Sequence, residues 1–227
     1  MVLIKKYSDE YNIEIGVDEV GRGPMFGRVY CAAVILPIND SFKYELLKDS
    51  KKFTSKKKLE EVANYIKENC VSYSFAYCEH SEIDNINIRQ ATHKAMNEAI
   101  RNIINFTDNN IVLIDGRDFK PITYLENNII KQVPVKCIEG GDNKYCSIAA
   151  ASIIAKVERD NYIYEMCKKY PLLDTYYDLS KNKGYGTAKH MDGIKKYGIT
   201  QWHRKTFGIC NNSNVIDITD ITNINDL

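Results

Sequence analysis

The chain reads as an α/β protein: a mixed, five-stranded sheet flanked by helices, with a small helical extension at its C-terminal end. Three observations predict this. Five short runs, at 13–17, 29–36, 71–78, 111–114 and 133–138, have the length and apolar or alternating character of strands. Three longer stretches, at 56–69, 88–104 and 144–169, carry apolar residues at helical spacing. Their order is β-β-α-β-α-β-β-α. Two consecutive strands at the start favour antiparallel pairing at one edge, and the helix-linked strands that follow allow a parallel partner in the middle.

Residues 1–12 are short and polar, a lead-in to the first strand. The second strand contains Ala32 and Ala33, small enough for close packing against a helix. The helix at 56–69 follows Thr54 and Ser55, either of which can cap it, and presents Leu59, Val62, Ala63 and Ile66 on one face. Residues 71–78 alternate Val, Tyr, Phe and Tyr with small or polar residues, as a half-buried strand does. Residues 81–87 are polar. The helix at 88–104 gathers Ala91, Ala95, Met96, Ala99, Ile100 and Ile103 on one side. The run at 111–114 is wholly apolar and delivers Asp115-Gly116 at its end. The first half of the helix at 144–169 consists almost entirely of small and aliphatic residues, the mark of a helix buried against a sheet. After Pro171 the texture changes: residues 176–186 are loop-like, Thr187 can cap a helix at 188–197, and Trp202-His203-Arg204-Lys205 falls in the next loop. The expected organisation is a main domain at 1–170, a helical extension at 171–210 and a flexible tail at 211–227, rich in Asn, Asp, Thr and Ile without a period.

At 227 residues the chain can bury a full core, and its formal net charge of +1 does not announce a nucleic-acid binder. The distribution says more: lysines cluster at 51, 52, 56, 57 and 58 and again between 181 and 205. Seven cysteines, an odd number with no CxxC pair, lie mostly inside apolar patterns. With no leader pattern and no membrane-length apolar run, these features point to a reducing, cytoplasmic setting and away from a zinc site.

The chemistry centres on acid. Ile15-Gly16-Val17-Asp18-Glu19-Val20-Gly21-Arg22-Gly23-Pro24 runs from an apolar approach into adjacent carboxylates and a glycine-rich turn. Adjacent carboxylates repel unless something offsets their charge, and a divalent cation is the usual remedy. Asp115 ends a strand, and Asp142 follows two glycines at the start of a buried helix. Strand ends and helix starts of this kind can converge on one crevice, where four carboxylates would serve two hard cations. Plainer readings exist for each. Asp142 reads equally well as a helix N-cap, and its place at a helix start predicts a low pKa. Asp115-Gly116 by itself is more often a turn signal. Tyr185 between glycines reads also as a packed anchor, His203 as a structural histidine, and Arg22 as a neutralising partner for Asp18 and Glu19.

Taken together, the motifs resemble ribonuclease HII. The resemblance opens at Gly16-Val17-Asp18-Glu19-Val20-Gly21-Arg22-Gly23-Pro24. It continues at Asp49-Ser50-Lys51-Lys52, at Asp115-Gly116, and at Ala149-Ala150-Ala151-Ser152-Ile153-Ile154-Ala155-Lys156-Val157 with Arg159-Asp160. It closes at Gly184-Tyr185-Gly186-Thr187 and His203-Arg204-Lys205-Thr206-Phe207. It covers residues 13–207 in order. Arg22, and the short segment before the first strand, separate it from the sister family, ribonuclease HIII. Two departures, the segment ending Gln201-Trp202-His203 and Lys205-Thr206 in place of the commoner arginine-serine, bear on loop packing.

The resemblance implies a ribonuclease H-like fold. It also implies cleavage of the RNA strand of RNA–DNA hybrids, including 5′ of single ribonucleotides embedded in duplex DNA, giving 3′-hydroxyl and 5′-phosphate ends. Asp18, Glu19, Asp115 and Asp142 carry over as catalytic carboxylates holding Mg²⁺ or Mn²⁺, two ions during catalysis. Gly21, Arg22, Gly23 and Tyr185 carry over as substrate contacts, to which Lys51, Lys52, His203 and Arg204 are added as candidates. The partners implied are hybrid and ribonucleotide-containing duplexes; a monomer without the glutamine-plus-paired-aromatic motif for a sliding clamp is expected. The alternative, a catalytically silent nucleic-acid-binding module, has no use for four mutually repelling carboxylates.

Overall fold

The computed structural model describes residues 2–39, 41–106 and 109–219. The chain divides into two compact units: Met1–Val20, Tyr30–Tyr77 and Thr92–Val157 form the first, and Gly21–Val29, Cys78–Ala91 and Glu158–Leu227 the second. The expected division at residue 170 is thus drawn differently, because segments at 21–29 and 78–91 join the C-terminal part of the chain.

The first unit is built on strands β1 (Ile13–Val20), β2 (Val29–Ile35), β3 (Ser72–Cys78), β4 (Asn110–Asp115) and a fifth, Val135–Ile138. They lie in the order β3-β2-β1-β4-fifth. β1 pairs antiparallel with β2 and parallel with β4, and β4 pairs parallel with the fifth strand. This is the mixed five-stranded sheet the sequence predicts. Helix α1 (Lys56–Asn69) starts at Ser55, whose side chain accepts from the Lys58 N–H. Its Leu59, Val62, Ala63 and Ile66 pack with Ala32 and Val34 of β2. The small residues of the long helix over 146–169, among them Ala149, Ala150 and Ala151, complete the same cluster. That helix lies close on the sheet: a Cβ on Gly16 would stand 2.1 Å from the Ser147 carbonyl carbon, so only glycine fits.

Elements the sequence reading leaves out are short or lack a period. Residues 122–133, which carry no predicted element before Val133, form a hairpin of β5 (Ile122–Glu126) and β6 (Ile129–Val133), so the predicted strand at 133–138 begins at β7 (Val135–Ile138). Asn127 and Asn128 at its tip have φ of 50° and 62°. Two positive-φ residues match the twist of a two-residue hairpin turn, and Asn-Asn between apolar runs was the available signal.

In the second unit, α2 (His80–Ile86) buries only Ile83 fully and therefore shows no apolar period. Helix α3 (Ile88–Arg101) begins there and continues in the first unit, and α4 (Cys146–Lys169) passes from the first unit into the second. After Pro171 comes α5 (Leu172–Tyr177); the stretch read as loop, 176–186, takes in its last residues and α6 (Leu179–Asn182), and α7 (Ala188–Tyr197) follows, capped by Thr187 as predicted. Strands β8 (Ile199–Thr200) and β9 (Val215–Ile216) pair parallel. Phe26, Ile163, Leu173, Tyr177, Ile194 and Ile199 form its core, with Ile218 only 3 % exposed. Within the expected tail Ile218 is therefore buried in this core and Ile216 packs against it; residues 220–227 lie outside the described residues. Among the described residues no helix is long and apolar enough to cross a membrane. All seven cysteines are free thiols.

Candidate active site

The parallel register of β1 and β4 pairs Val17 with Ile114. The next residue on each strand is an aspartate, so Asp18 and Asp115 come side by side. Asp142 reaches them from a 3₁₀ turn, Gly141–Asn143, entered through Gly140 at φ 61°. The Gly141 N–H donates to Asp115 Oδ1 at 2.7 Å, tying that turn to the end of β4. Asp18, Asp115 and Asp142 each offer an oxygen, and these atoms all lie within 4.8 Å of one another.

Glu19 stands outside this group. β1 extends through both acids to Val20 rather than ending at them, and successive strand residues face opposite sides of a sheet. Asp142 does not start the long helix either, since α4 begins at Cys146. Its Oδ1 accepts from Asn143 Nδ2 at 3.1 Å.

Burial and crowding dominate the electrostatics. Burial pushes the Asp18 carboxyl well above its ordinary pKa, the charges of Glu19 and Asp115 push it further, and hydrogen bonds from Ser152 and the Glu19 N–H oppose the rise. Asp142 is raised too, by burial, Asp115 and Asp49, against Lys51 and Asn143. The low pKa expected for Asp142 is thus reversed: its neighbours are anionic, and it is no N-cap of α4. Burial alone would lower Lys51, but Asp142, Asp49, Asp18 and Asp115 together raise it. Lys52 Nζ donates to Asn143 Oδ1, and Asn143 Nδ2 donates to Asp49 Oδ2 at 3.2 Å. Asp49, Ser50, Asn143 and Ser152 are supporting residues that the sequence reading did not single out. The signal for Asp49 and Ser50 lay in the Asp49-Ser50-Lys51-Lys52 block itself.

The donor set fits a hard divalent cation. All three groups are carboxylates, which suit Mg²⁺ or Mn²⁺, and the protein spends desolvation and repulsion to bring them together.

The other candidates belong to the second unit. Arg22 and Gly23 are exposed, and a Cβ on Gly23 would stand 3.5 Å from Tyr185 Cε1, so the glycine loop lies against the tyrosine ring. Tyr185 is 46 % exposed. His203 and Arg204 are both 0 % exposed, which rules out the direct substrate contact expected of them. Arg204 is spent on the loop backbone: its guanidinium donates to Gly21 O at 2.6 Å, Arg22 O at 3.0 Å and Gly27 O at 2.8 Å. Burial, then the neighbouring Arg159 guanidinium, lower its pKa to about 9, so it is a cation at neutral pH. Arg159, also 0 % exposed, donates to Arg28 O at 3.2 Å and Phe26 O at 3.3 Å. A Cβ on Gly21, at φ 96°, would stand 2.2 Å from Arg159 Nε. Two buried arginines therefore mould the backbone of residues 21–28.

The fold is of the ribonuclease H class. The crystal structure of the ribonuclease H2 from Pyrococcus horikoshii OT3 matches with a TM-score of 0.69 at 22 % identity, over 88 % of this chain and 96 % of that one. The family model for ribonuclease HII matches residues 15–210. Curated relatives agree. Ribonuclease HII of Acetivibrio thermocellus is 43 % identical over 201 residues, 88 % of this chain and 72 % of that protein. Ribonuclease HII of Christiangramia forsetii is 41 % identical, over 87 % of this chain and 92 % of that protein. The chain belongs to the ribonuclease HII family. That family consists of divalent-metal-dependent endoribonucleases of the ribonuclease H type, which act on RNA–DNA hybrids, and the chain is an enzyme of that class.

Proposed function

We propose that this enzyme cleaves the RNA strand of RNA–DNA hybrids and also cuts 5′ of a single ribonucleotide embedded in duplex DNA, leaving 3′-hydroxyl and 5′-phosphate ends. The observation that carries the reading is the buried cluster of Asp18, Asp115 and Asp142, whose oxygens lie within 4.8 Å of one another. These three residues would hold Mg²⁺ or Mn²⁺, and Glu19, outside the trio but near enough for its charge to raise the pKa of Asp18, would be the fourth carboxylate, serving a second ion. Ions bound there supply Lewis acidity toward the scissile phosphate and an activated water.

The chain's own groups supply the rest. Lys51, held cationic by the surrounding carboxylates, moderates their repulsion and attracts phosphate, and exposed Lys52 adds to that field. Gly21, Arg22 and Gly23 form the loop that meets the ribose: exposed Gly23, lacking a Cβ, lets it approach the backbone closely, and Gly21, whose missing Cβ makes room for Arg159, is held with Arg22 through carbonyls bonded to Arg204. Tyr185 stands against Gly23 with its ring partly open to solvent, suited to pack on a sugar beside a 2′-hydroxyl, the group that marks RNA. His203 and Arg204 support these contacts from beneath.

The test is cleavage of duplex DNA containing one ribonucleotide, and of a continuous hybrid, with Mg²⁺, Mn²⁺ or EDTA. Wild type should cut both with either metal, and Asp115→Asn should cut neither. Metal-dependent cutting of the hybrid with the single-ribonucleotide duplex left intact would confine the activity to continuous RNA.

A further inference from the structure

Two histidines are buried in the second unit, and no hydrogen bond of either has entered the account so far. His190 lies on α7 and His203 after β8, both 0 % exposed, with their Nε2 atoms 3.1 Å apart. His190 Nδ1 is 3.0 Å from the Tyr185 carbonyl oxygen. A carbonyl only accepts, so His190 Nδ1 carries a proton. At the other end, the Thr200 N–H donates to His203 Nδ1 at 3.0 Å, so that nitrogen carries none. If both rings are neutral, the remaining proton positions follow: His203 Nε2–H donates to His190 Nε2. The hydrogen bonds then run one way, from Thr200 through His203 and His190 to the backbone of Tyr185.

We propose that His190 and His203 form a neutral hydrogen-bonded relay that positions Tyr185 through its backbone carbonyl and so sets selectivity for a lone ribonucleotide. This rests on the reading of Tyr185 as a substrate contact. The surroundings favour the neutral pair. The Tyr177 ring of α5 packs against both imidazoles, at 5.8 Å and 4.9 Å between centroids, and the Phe26 ring meets His203 at 5.1 Å. Burial and the charges of His190 and of His80 on α2 disfavour a positive charge on His203, against the opposing effect of its hydrogen bond with Thr200. Among the described residues neither ring bonds a carboxylate. Burial lowers the pKa of both histidines. An added proton would set two donors facing each other, at the Nε2 pair or at the Thr200 N–H, and loosen the tie.

The tie also matters to the loop it ends on. Tyr185 sits after Lys183 and Gly184, both at positive φ. Its carbonyl takes one further bond, from the Thr187 N–H at 2.8 Å, and its own N–H donates to Asn182 O at 3.0 Å. Removing the His190 bond leaves a short, glycine-flanked segment with one fewer anchor beside the exposed ring.

Two measurements test this. Imidazole ¹⁵N shifts of the wild-type protein at pH 7.5 should show His190 protonated at Nδ1 only and His203 at Nε2 only. A cationic ring or a reversed tautomer in either would overturn the relay. In kinetics, His190→Leu should lower kcat/KM on the single-ribonucleotide duplex about two- to tenfold more than on a continuous hybrid. His190→Asn, whose Nδ2 can take the place of Nδ1, should recover most of that loss. In a Tyr185→Ala background His190→Leu should cost nothing further on that substrate, because the effect passes through Tyr185. The same loss in both backgrounds, or no rescue by Asn, would reduce the histidines to packing. If Tyr185→Ala by itself cuts like wild type, the substrate role of Tyr185 has failed, and with it the selectivity role of the relay, while the tautomer pattern still decides whether the relay exists.

Discussion

Replacing Asp18 with Asn removes one of the three clustered carboxylates while keeping the side-chain shape and the acceptor for the Glu19 N–H, a bond of 2.7 Å in the wild type. The clustered oxygens lie within 4.8 Å of one another, and two full charges at that separation repel by about 3.5 kcal/mol at an effective dielectric of about 20. Lys51 offsets part of this, and proton uptake by Asp18, which burial, Glu19 and Asp115 favour by raising its pKa well above the ordinary value, relieves more. A net relief of about 1–2 kcal/mol at pH 8 is a reasonable remainder, or about 2–8 °C in Tm for a chain of this size.

The sign depends on pH. A carboxyl whose pKa is raised on folding leaves the folded state fully stable below the unfolded pKa, and stability is lost as pH rises through the folded one. Asp18→Asn should therefore melt higher than wild type at pH 8 in EDTA, with the gap closing as pH falls and the raised Asp18 carboxyl takes up its proton. Millimolar Mn²⁺ should reverse the order at pH 8, because an ion bound only by the folded state stabilises wild type more. Thermal melts at pH 8 and at lower pH, with EDTA and with Mn²⁺, read all of this. A lower Tm for the variant at pH 8 in EDTA, or a gap that ignores pH, would refute the claim that the carboxylates are held together at a cost.

Other consequences can be checked alongside. Asp142→Asn should lower hybrid cleavage at least about a hundredfold at saturating Mn²⁺ while leaving the circular dichroism unchanged, since α4 starts beyond it; near-normal turnover would return Asp142 to a structural role. Tyr185→Phe should lose one neutral polar contact, about 0.5–1.5 kcal/mol, and Tyr185→Ala should lose the ring as well, so damage on the single-ribonucleotide duplex should be graded and larger than on a continuous hybrid. Gly16→Ala would place a Cβ 2.1 Å from the Ser147 carbonyl carbon, and urea unfolding should show a loss of at least about 1–3 kcal/mol if the variant folds.

The sheet was legible because its strands are apolar runs and its helices keep apolar spacing, both of which sequence displays directly. α1, with Leu59, Val62, Ala63 and Ile66 on one face, is the plainest case, and the Thr187 cap placed α7 correctly. The elements that escaped owe little to periodicity. α2 buries one residue fully, α6 has four residues, and the hairpin of β5 and β6 alternates weakly on its exposed strand. The packing of Ile218 escaped for a related reason: one apolar residue among polar neighbours carries no period, and only its tertiary surroundings make it core.

For the site, residue type announced chemistry but not depth. Asp18, Asp115 and Asp142 were found as acids at the ends of elements, and the strand register that brings the first two together was implicit in parallel pairing. Glu19, the next residue on β1, lies outside that trio, yet its charge still raises the pKa of the Asp18 carboxyl. His203 and Arg204 show the same limit in another form. Both are the polar types that contact nucleic acid, and both are fully buried, with Arg204 bonded to three loop carbonyls. A buried guanidinium that satisfies carbonyls leaves the outward side of that loop to be formed by its glycines and by Arg22. On the proposed reading, direct recognition falls to the exposed groups Arg22, Gly23 and Tyr185, and the buried polar residues determine where those groups are held. Substitutions beneath the surface should then change selectivity between substrates more than they change whether the protein cuts at all.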